Sequence, residues 1–431
     1  MTESLPVSPG PPTEPEFAAL IAIDWADQKH YWSLQVAHSD RIERGELDNT
    51  PEAVEVWISE MHLRFAERPL AVALEQRRGA LVAMLSKYGQ LHLYPVHPRS
   101  LAKYREAWYP SGCKDDPKDA DLLREMLCQH RSRLRRLDPD TVEMRRLQFQ
   151  VENRRKLVDQ RTAISNRLTD LLKIYFPQIP TWFENVTSPM VGDLLLRWPT
   201  LEALQRARPA TLQKFLREHN CRDEEKIQER IQQIRQAIPA THDEAVIESA
   251  QTMVSVYVQQ IAILNETIEE LTQASEKLAR QLPEWEIFDS LPGAGVVMAP
   301  RLMAALGSRR ERFDSADDLL CFSGIAPVKE ESGNMKWVHF RRACPKFLRQ
   351  TFHEWAACTL RFCDWANDFY DGQRLKKKSH HTAIRALAFK WIRILYRCWK
   401  DHQPYREDFY LARRAKRAVP LQRLVEAVKM P

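Results

Sequence analysis

Four acidic residues occupy positions at which carboxylates commonly share a metal ion. Asp24 ends the apolar run LIAI, and Glu75 follows the apolar run LAVAL. A carboxylate that ends a buried strand is costly to ionise unless it is paired or bound to a metal. Asp116 and Asp119 lie three residues apart in KDDPKDAD. A helix that begins near Pro117 places both carboxylates on one face of its first turn.

Such a set of oxygen ligands suits Mg²⁺ or Mn²⁺. Two of these ions, about 4 Å apart, can activate an attacking oxygen and stabilise a leaving oxygen in phosphodiester chemistry. Taken alone, KDDPKDAD also fits a solvated loop with a helix cap, but its combination with two strand-end acids favours a metal site. Arg77, Arg78 and Arg105 lie near these acids, where we expect them to follow a nucleic-acid backbone.

The elements that must position these acids read as β-β-β-α-β-α-β-α over residues 17–135. The alternation in 30–36 and the apolar runs predict strands, and Thr50-Pro51 predicts a helix start. A three-strand meander followed by alternating units predicts an α/β domain, with a mixed sheet and helices packed on it.

Two long helices are predicted in the middle of the chain, at about 141–176 and 243–282. In the second, Val254, Tyr257, Ile261, Leu264, Ile268, Leu271 and Leu278 follow a heptad-like spacing that Ser275 interrupts. This seam fits two alternatives equally: the helices pack on each other within one chain, or they form a coiled coil between subunits. Short helices are predicted between them, at 181–240.

The C-terminal part is predicted to be mostly α-helical to about residue 402, apart from a loop at 324–338. LPGAGVV predicts a tight turn before a helix, which is either a phosphate-binding turn or a simple helix connection. Basic residues surround the predicted loop, and they favour contacts with nucleic-acid phosphates. The set consists of Arg341, Arg342, Lys346 and Arg349.

Composition limits the class of protein. There are 64 basic and 58 acidic residues, a net charge of +6, so nucleic-acid binding must rest on local patches. The eight cysteines form no CxxC pair, which argues against structural zinc and fits a reducing bacterial cytosol. No run of 18 apolar residues is present, so we expect no membrane span.

The pattern IAIDWADQKH, ALEQRRG and KDDPKDADLL resembles the DEDD-type transposases of insertion sequences, whose N-terminal domain is RuvC-like, with an RNase H-like fold. The resemblance implies that Asp24, Glu75, Asp116 and Asp119 form the metal site. Where the family usually has Thr, this chain has Asp115. Asp115 is therefore an alternative third ligand, and Asp121 is a weaker one.

The second half, with LPGAGVV, FDSADDLL, FSGIAP and ESGN, resembles the C-terminal domain of the same transposases. In relatives that act as RNA-guided recombinases, the serine of the Ser-Gly pair is the nucleophile. The resemblance assigns this role to Ser332, whereas Ser323 is a rival that its apolar flanks make more suited to a structural role. The family continues with a basic SKRGN segment, which here reads HFRRACPKFLRQ.

The resemblance implies donor and target DNA as partners, with a structured guide RNA, and the long helices suggest a homo-oligomer, a dimer or a tetramer. Two other functions remain open: a metal-dependent junction nuclease that uses water, and a non-catalytic nucleic-acid scaffold. The predicted organisation has five parts: a disordered tail (1–16), the RuvC-like domain (17–135), a long-helix domain (140–284) with an insertion (181–240), the serine-bearing domain (285–405) and a basic tail (406–431).

Overall fold

The computed structural model describes residues 15–108, 116–333 and 335–412. These residues divide into two compact units, with the boundary between Pro139 and Asp140. The predicted N-terminal tail up to residue 14, and the predicted basic tail from residue 413 onward, fall outside the described residues. Within the described part of the chain, every helix is too short or too polar to cross a membrane.

The first unit combines a sheet with helices, in the predicted order of elements. Thr50 caps the first helix as expected, because its hydroxyl accepts a hydrogen bond from the Ala53 amide at 3.2 Å. The elements are β1 (Ala19–Asp24), β2 (Lys29–Val36), β3 (Ile42–Asp48), α1 (Pro51–Phe65), β4 (Leu70–Leu74), α2 (Ala80–Leu85), β5 (Leu91–Pro95), α3 (Pro98–Trp108) and α4 (Asp116–His130).

The five strands form one mixed sheet in the order β3-β2-β1-β4-β5. Strand β1 pairs antiparallel with β2 and parallel with β4, and β4 pairs parallel with β5. All residues of β4 and β5 are buried, as is usual for parallel strands that are covered on both faces. The predicted mixed α/β sheet is therefore confirmed, and it is consistent with an RNase H-like fold.

The two faces of this sheet carry side chains of different size. On one face, the large side chains of Ile21 and Val72 pack with Trp57 of α1. On the other face, Ala22 and Ala73 pack with leucines of α4. Because Ala22 of β1 and Ala71 and Ala73 of β4 are small, α4 can lie close to the strands. This face is the one toward which the strand-end acids point.

The second unit is helical apart from one hairpin. Its elements are α5 (Val142–Tyr175), α6 (Gln178–Trp182), α7 (Pro189–Arg197), α8 (Leu201–Arg206), α9 (Pro209–Glu218), α10 (Glu224–Gln236), α11 (Glu244–Ala279), α12 (Trp285–Asp289), α13 (Gly295–Leu306), α14 (Ala316–Phe322), β6 (Val328–Ser332), β7 (Met335–His339), α15 (Lys346–Thr359), α16 (Asp364–Leu375) and α17 (His380–Asp401).

Helices α5 and α11 are the two predicted long helices, and they pack on each other within the chain. Arg154 donates to Thr272 at 2.6 Å, and Arg161 donates to Asn265 at 2.7 Å. Residues later in α5 contact residues earlier in α11, so the two helices run antiparallel. One of the two open alternatives, packing within one chain, is thus observed, while the coiled coil between subunits remains a prediction.

The predicted seam of α11 needs a correction. Val254, Ile261 and Ile268 are buried as expected, whereas Tyr257, Leu264, Leu271 and Leu278 are only partly buried. The buried line continues instead through Thr272, Ser275 and Ala279. Small residues lie on this line because the partner helix α5 approaches closely and presents Arg154 to Thr272. Ser275 therefore belongs to the contact and does not interrupt it.

The predicted loop at 324–338 is also wrong, because most of it forms the hairpin β6–β7. The strands pair antiparallel, with Ser332 opposite Met335 and Val328 opposite His339. Nearly every residue of the hairpin is exposed, so neither strand has a buried face. Without a buried face there is no alternation of apolar and polar residues for sequence reasoning to detect.

Candidate active site

Asp24 and Glu75 lie side by side at the carboxyl ends of two neighbouring parallel strands, β1 and β4. The register pairs Ile23 with Leu74 in parallel strands, so the next residue of each chain segment is an acid. Asp24 is 7% exposed, and Glu75 is half-buried. Alternate residues of a strand point to the same face. Asp24 therefore points like Ala22, to the face that α4 covers, and continued alternation turns Glu75 the same way.

Helix α4 brings Asp119 to this face. Asp119 is 2% exposed and lies in the first turn of the helix. Its carboxylate accepts hydrogen bonds from Arg105 of α3, at 2.8 Å from Nε and 2.5 Å from Nη2. Arg105 was expected to follow a nucleic-acid backbone, but it serves as the counter-ion of this buried acid. Sequence reasoning missed that role because it depends on how α3 packs against α4.

The remaining acids of KDDPKDAD fall into two groups. Asp115 lies outside the described residues, and the Asp116 side chain does as well, although Asp116 begins α4. Three residues separate it from Asp119, so both belong to one face of the helix. Asp121 accepts hydrogen bonds from Ser33 at 2.7 Å and from Arg44 at 2.9 Å, which ties α4 to β2 and β3.

Arg124 completes this attachment of α4 to the sheet. Its guanidinium donates to Ser33 at 3.1 Å and to Gln35 at 2.5 Å. The helix therefore meets β2 through a buried polar network, and it meets β1 and β4 through alanine. Since a satisfied buried network fixes geometry, α4 holds Asp119 in a defined place relative to the strand ends.

The chemistry of these donors fits a hard divalent cation, because all of them are carboxylates. Asp24 and Glu75 lie together, and Asp119 stands on the helix above the same face. Among the residues that the structure describes, however, no three acidic, histidine or cysteine side chains form a cluster that could hold a metal. The Asp116 side chain is outside that set. The four-ligand site therefore remains a prediction, supported by the kind and the placement of its donors.

Cationic residues flank the acidic edge. Arg77 and Arg78 follow Glu75 in the exposed connection to α2. Desolvation by the surrounding protein and the nearby charge of Arg135 lower the pKa of the Arg77 guanidinium, which nevertheless stays cationic at neutral pH. A phosphate backbone that approached the carboxylates would meet these charges.

Ser332 lies in the other unit, at the exposed end of β6. Gly333 follows with a φ of +56°, a left-handed conformation that favours glycine. Because paired residues of an antiparallel ladder share a face, Ser332 points to the same side as Met335, and Glu330 points there with Trp337. The Ser332 hydroxyl is thus presented on a projecting ribbon beside two exposed apolar side chains. The rival Ser323 is fully buried, and its hydroxyl donates to the Leu320 carbonyl at 3.2 Å.

The predicted cationic residues near the hairpin divide into two kinds. Arg341 donates to the Ala326 carbonyl at 3.2 Å, and Arg349 donates to the Arg341 carbonyl at the same distance. These two side chains fasten the base of the hairpin. Arg342 and Lys346 are exposed, and both are accessible to a phosphate. The predicted set therefore combines positioning residues with residues that face solvent.

The glycine turn before α13 is packed within its own unit. A Cβ on Gly293, whose φ is +69°, would lie 3.0 Å from the backbone of Cys358 in α15. The Pro292 carbonyl accepts a hydrogen bond from the Trp355 indole at 3.1 Å. These contacts explain the glycine as a close approach of backbone to helix, which fits the simple-connection alternative without excluding a bound phosphate.

Two family models match the chain, one in each half. A model of DEDD transposases of the IS110 type, described as a transposase, matches residues 21–177. A model described as a transposase of the IS116/IS110/IS902 family matches residues 285–371. The first segment contains Asp24, Glu75, Asp116 and Asp119, and the second contains Ser332. Both candidate sites thus lie inside the matched segments.

Individual relatives are similar over most of their length. The chain is 24% identical to the mini-circle protein for IS117 of Streptomyces coelicolor, over 92% of this chain and 97% of the relative. It is 29% identical to the 42 kDa protein of insertion element IS900 from Mycobacterium paratuberculosis, over 75% and 80%. It is 25% identical to the 44.8 kDa protein of insertion element IS116 from Streptomyces clavuligerus, over 88% and 94%.

Proposed function

The chain belongs to the DEDD-type transposases of the IS110 family, and we propose that it cuts and rejoins DNA with a carboxylate-bound metal site and a serine nucleophile. Its membership of the insertion-sequence transposases rests on the family matches. We propose Ser332 as the nucleophile, Mg²⁺ or Mn²⁺ as the metal and a guide RNA as a partner. The observation that carries the proposal is the register of β1 and β4, which places Asp24 beside Glu75 within the matched transposase segment.

Asp24, Glu75, Asp116 and Asp119 would hold Mg²⁺ or Mn²⁺. Bound there, such an ion supplies a positive charge to the phosphodiester oxygens and lowers the pKa of an attacking hydroxyl. The contribution of the protein is to fix the donors. Asp24 is set by the sheet, and Asp119 is set by α4 and Arg105. Arg105 orients the Asp119 carboxylate through its two hydrogen bonds.

Ser332 would act as the attacking group. Its Oγ forms a bond to phosphorus while the bond from phosphorus to the departing deoxyribose oxygen breaks. The serine proton leaves, and the departing oxygen takes up a proton. Rejoining reverses these steps with a new strand, so the phosphoester energy is retained. An exposed position at the end of a projecting ribbon lets the hydroxyl reach a DNA backbone.

The basic residues would supply affinity without reading sequence. Arg77 and Arg78 stand beside the carboxylate edge, while Arg342 and Lys346 stand beside the hairpin. Arg341 and Arg349 hold the base of the hairpin and add charge to it. Since these contacts do not specify bases, pairing with a structured non-coding RNA would choose the donor and target DNA.

A homo-oligomer, dimer or tetramer, would form through the long helices. Helix α11 carries exposed apolar residues on the side away from α5, among them Met253, Val256 and Ile263. They are spaced three and seven residues apart, so they follow one side of the helix. A second copy of the chain would cover them.

The experiment is to incubate the protein with Mg²⁺, its RNA and plasmid DNA that carries the element ends, and to detect covalent protein–DNA adducts on denaturing gels. We expect Ser332→Ala to abolish the adduct. Ser323→Ala removes the rival hydroxyl and is expected to retain it. Cleavage that persists in Ser332→Ala would support a metal-dependent nuclease that uses water. Binding without cleavage in every variant and in wild type would support a scaffold.

A further inference from the structure

A cluster of cationic side chains lies at the base of the serine hairpin. Phe340, directly after β7, has the Arg349 guanidinium 4.7 Å from its ring centre and the Arg385 guanidinium 4.4 Å from it. The first arginine comes from α15 and the second from α17. The ring that holds two cations in this way is itself 41% exposed, so the assembly faces solvent.

Two histidines extend the cluster along both helices. His353 follows Arg349 by four residues on α15, and His381 precedes Arg385 by four residues on α17, so each pair shares one face of its helix. The two imidazole rings lie 5.6 Å apart. His380 lies 5.2 Å from His381. The cluster therefore consists of two facing Arg/His pairs, with Phe340 as the spacer.

The charges of this cluster are not balanced by acids. Within the described residues, neither Arg349 nor Arg385 forms an ion pair with a carboxylate, and Arg349 donates only to the Arg341 carbonyl and the Cys344 thiol. Partial burial and then the charge of Arg349 lower the pKa of Arg385. Burial lowers the pKa of His353, a backbone hydrogen bond with His381 raises it, and the nearby Arg385 lowers it. The two arginines thus lie close to each other, and neither has a carboxylate partner among the described residues.

We propose that this cluster binds a phosphodiester group of a nucleic-acid strand, with Arg385 and Arg349 donating to its oxygens and the His353 and His381 imidazoles beside them. The proposal rests on the proposed function and extends it, since it supplies a contact for a strand at the base of the hairpin that carries Ser332. Arginine matches phosphate because its planar fork offers several donors at once.

The arrangement favours a strand over a small phosphate metabolite. The two arginines lie on two helices beside Phe340, which is 41% exposed and directly follows the exposed hairpin. Two guanidiniums already lie over the Phe340 ring, at 4.7 and 4.4 Å from its centre, so the ring is engaged with cations and not with a base. It fixes the spacing of the two arginines, and a protein that fixes charges before binding loses less conformational entropy on binding.

The test compares Arg385→Gln with Arg397→Gln. Arg397 lies on the same helix, three turns away, and pairs with Asp401. The probes are a 30-base-pair DNA duplex and an RNA hairpin of matched charge, and the dissociation constant is measured over a range of salt concentrations. For the probe that occupies the site, we expect Arg385→Gln to weaken binding about fivefold to tenfold and to reduce the salt slope by about one. Arg397→Gln should match wild type.

A second variant, Phe340→Leu, keeps every charge and removes only the spacer. We expect an intermediate loss of affinity, with Arg385→Lys also intermediate, since a lysine retains the charge without the fork. Circular dichroism and thermal unfolding verify that each variant folds. A response with DNA alone, or with RNA alone, identifies the strand. The inference would be overturned if Arg385→Gln bound both probes with the affinity and the salt slope of the wild type. The proposed function would still stand in that case, provided that the wild-type protein is active.

Discussion

The strand-end acids and the serine hairpin are positioned in opposite ways. Asp24 ends a strand that lies in the middle of a five-stranded sheet, and Asp119 is a buried acid with a half-buried partner. Ser332 ends a two-stranded ribbon whose residues are almost all exposed. Isolated two-stranded hairpins are marginally stable at best. The acids are therefore fixed by the core of the protein, whereas the serine is fixed only through the base of its hairpin.

The largest effect is expected from Asp24→Asn. A metal site supplies several kcal/mol of transition-state stabilisation, and about 1.4 kcal/mol corresponds to a tenfold change in rate. We therefore expect Mg²⁺-dependent cleavage to fall by about a thousandfold or more, with DNA binding unchanged. Asp48→Asn, an exposed carboxylate on edge strand β3, is the control and should cleave normally. Equal losses of cleavage in both variants would contradict a specific role for Asp24.

A second test separates the two paired acids on α4, the buried Asp119 and the half-buried Asp121. Arg105→Gln leaves Asp119 buried without its partner, and we expect the free energy of unfolding to fall by about 3 kcal/mol. If Asp119 is a metal ligand, Mg²⁺ should restore part of this loss, because the ion replaces the missing positive charge. The measurement is thermal unfolding with and without Mg²⁺.

Arg44→Gln is the matched control for that test. Arg44 pairs with Asp121, but both side chains are more exposed, at 55% and 28%. We expect a loss of at most about 1 kcal/mol and no recovery with Mg²⁺. Recovery in Arg44→Gln and not in Arg105→Gln would make Asp121, and not Asp119, the ligand.

A third test measures whether a local change in the hairpin leaves the stability of the core unchanged. Gly333→Ala places a side chain at a φ of +56°, which costs about 1–2 kcal/mol locally. We expect covalent adducts to decrease about tenfold, while the midpoint of thermal unfolding stays within about 1 °C. Gly372→Ala, in helix α16 with open space around it, should leave adduct formation unchanged. A large drop of the unfolding midpoint in Gly333→Ala would show that the hairpin is coupled to the core.

The smallest effect concerns motion in the unaltered protein. The amide protons of β1 and β4 should exchange with solvent only through global unfolding, since both strands are buried. Those of β6 and β7 should exchange faster by orders of magnitude, and bound DNA should slow them. Hydrogen exchange followed by mass spectrometry measures both. Similar protection of the two regions in the free protein would remove the contrast.

The sheet could be predicted well, because β1, β4 and β5 are short apolar runs and β2 alternates between apolar and polar residues. The order of elements and the cap at Thr50 follow from patterns within a few residues. The partners of the acids could not be predicted in this way. Arg105 meets Asp119 only after α3 and α4 have packed, and the same holds for Asp121 with Ser33.

The hairpin and the cation cluster escaped sequence reasoning for related reasons. The strands β6 and β7 have no buried face, so their residues show no apolar period. Phe340, Arg349 and Arg385 come from three separate parts of the chain. The two arginines differ from other surface arginines only in that both lie against the Phe340 ring, which depends on tertiary packing. Ser332 was assigned by resemblance to a family and not by its surroundings.

The most direct test of the serine mechanism is to identify the residue that bonds to DNA. The wild-type protein is incubated with its RNA, Mg²⁺ and DNA with element ends, the adduct is digested with protease and nuclease, and the modified peptide is sequenced by mass spectrometry. We expect a nucleotide phosphate on Ser332. A nucleotide on any other residue, or cleaved DNA with hydrolysed ends and no modified peptide, would contradict it.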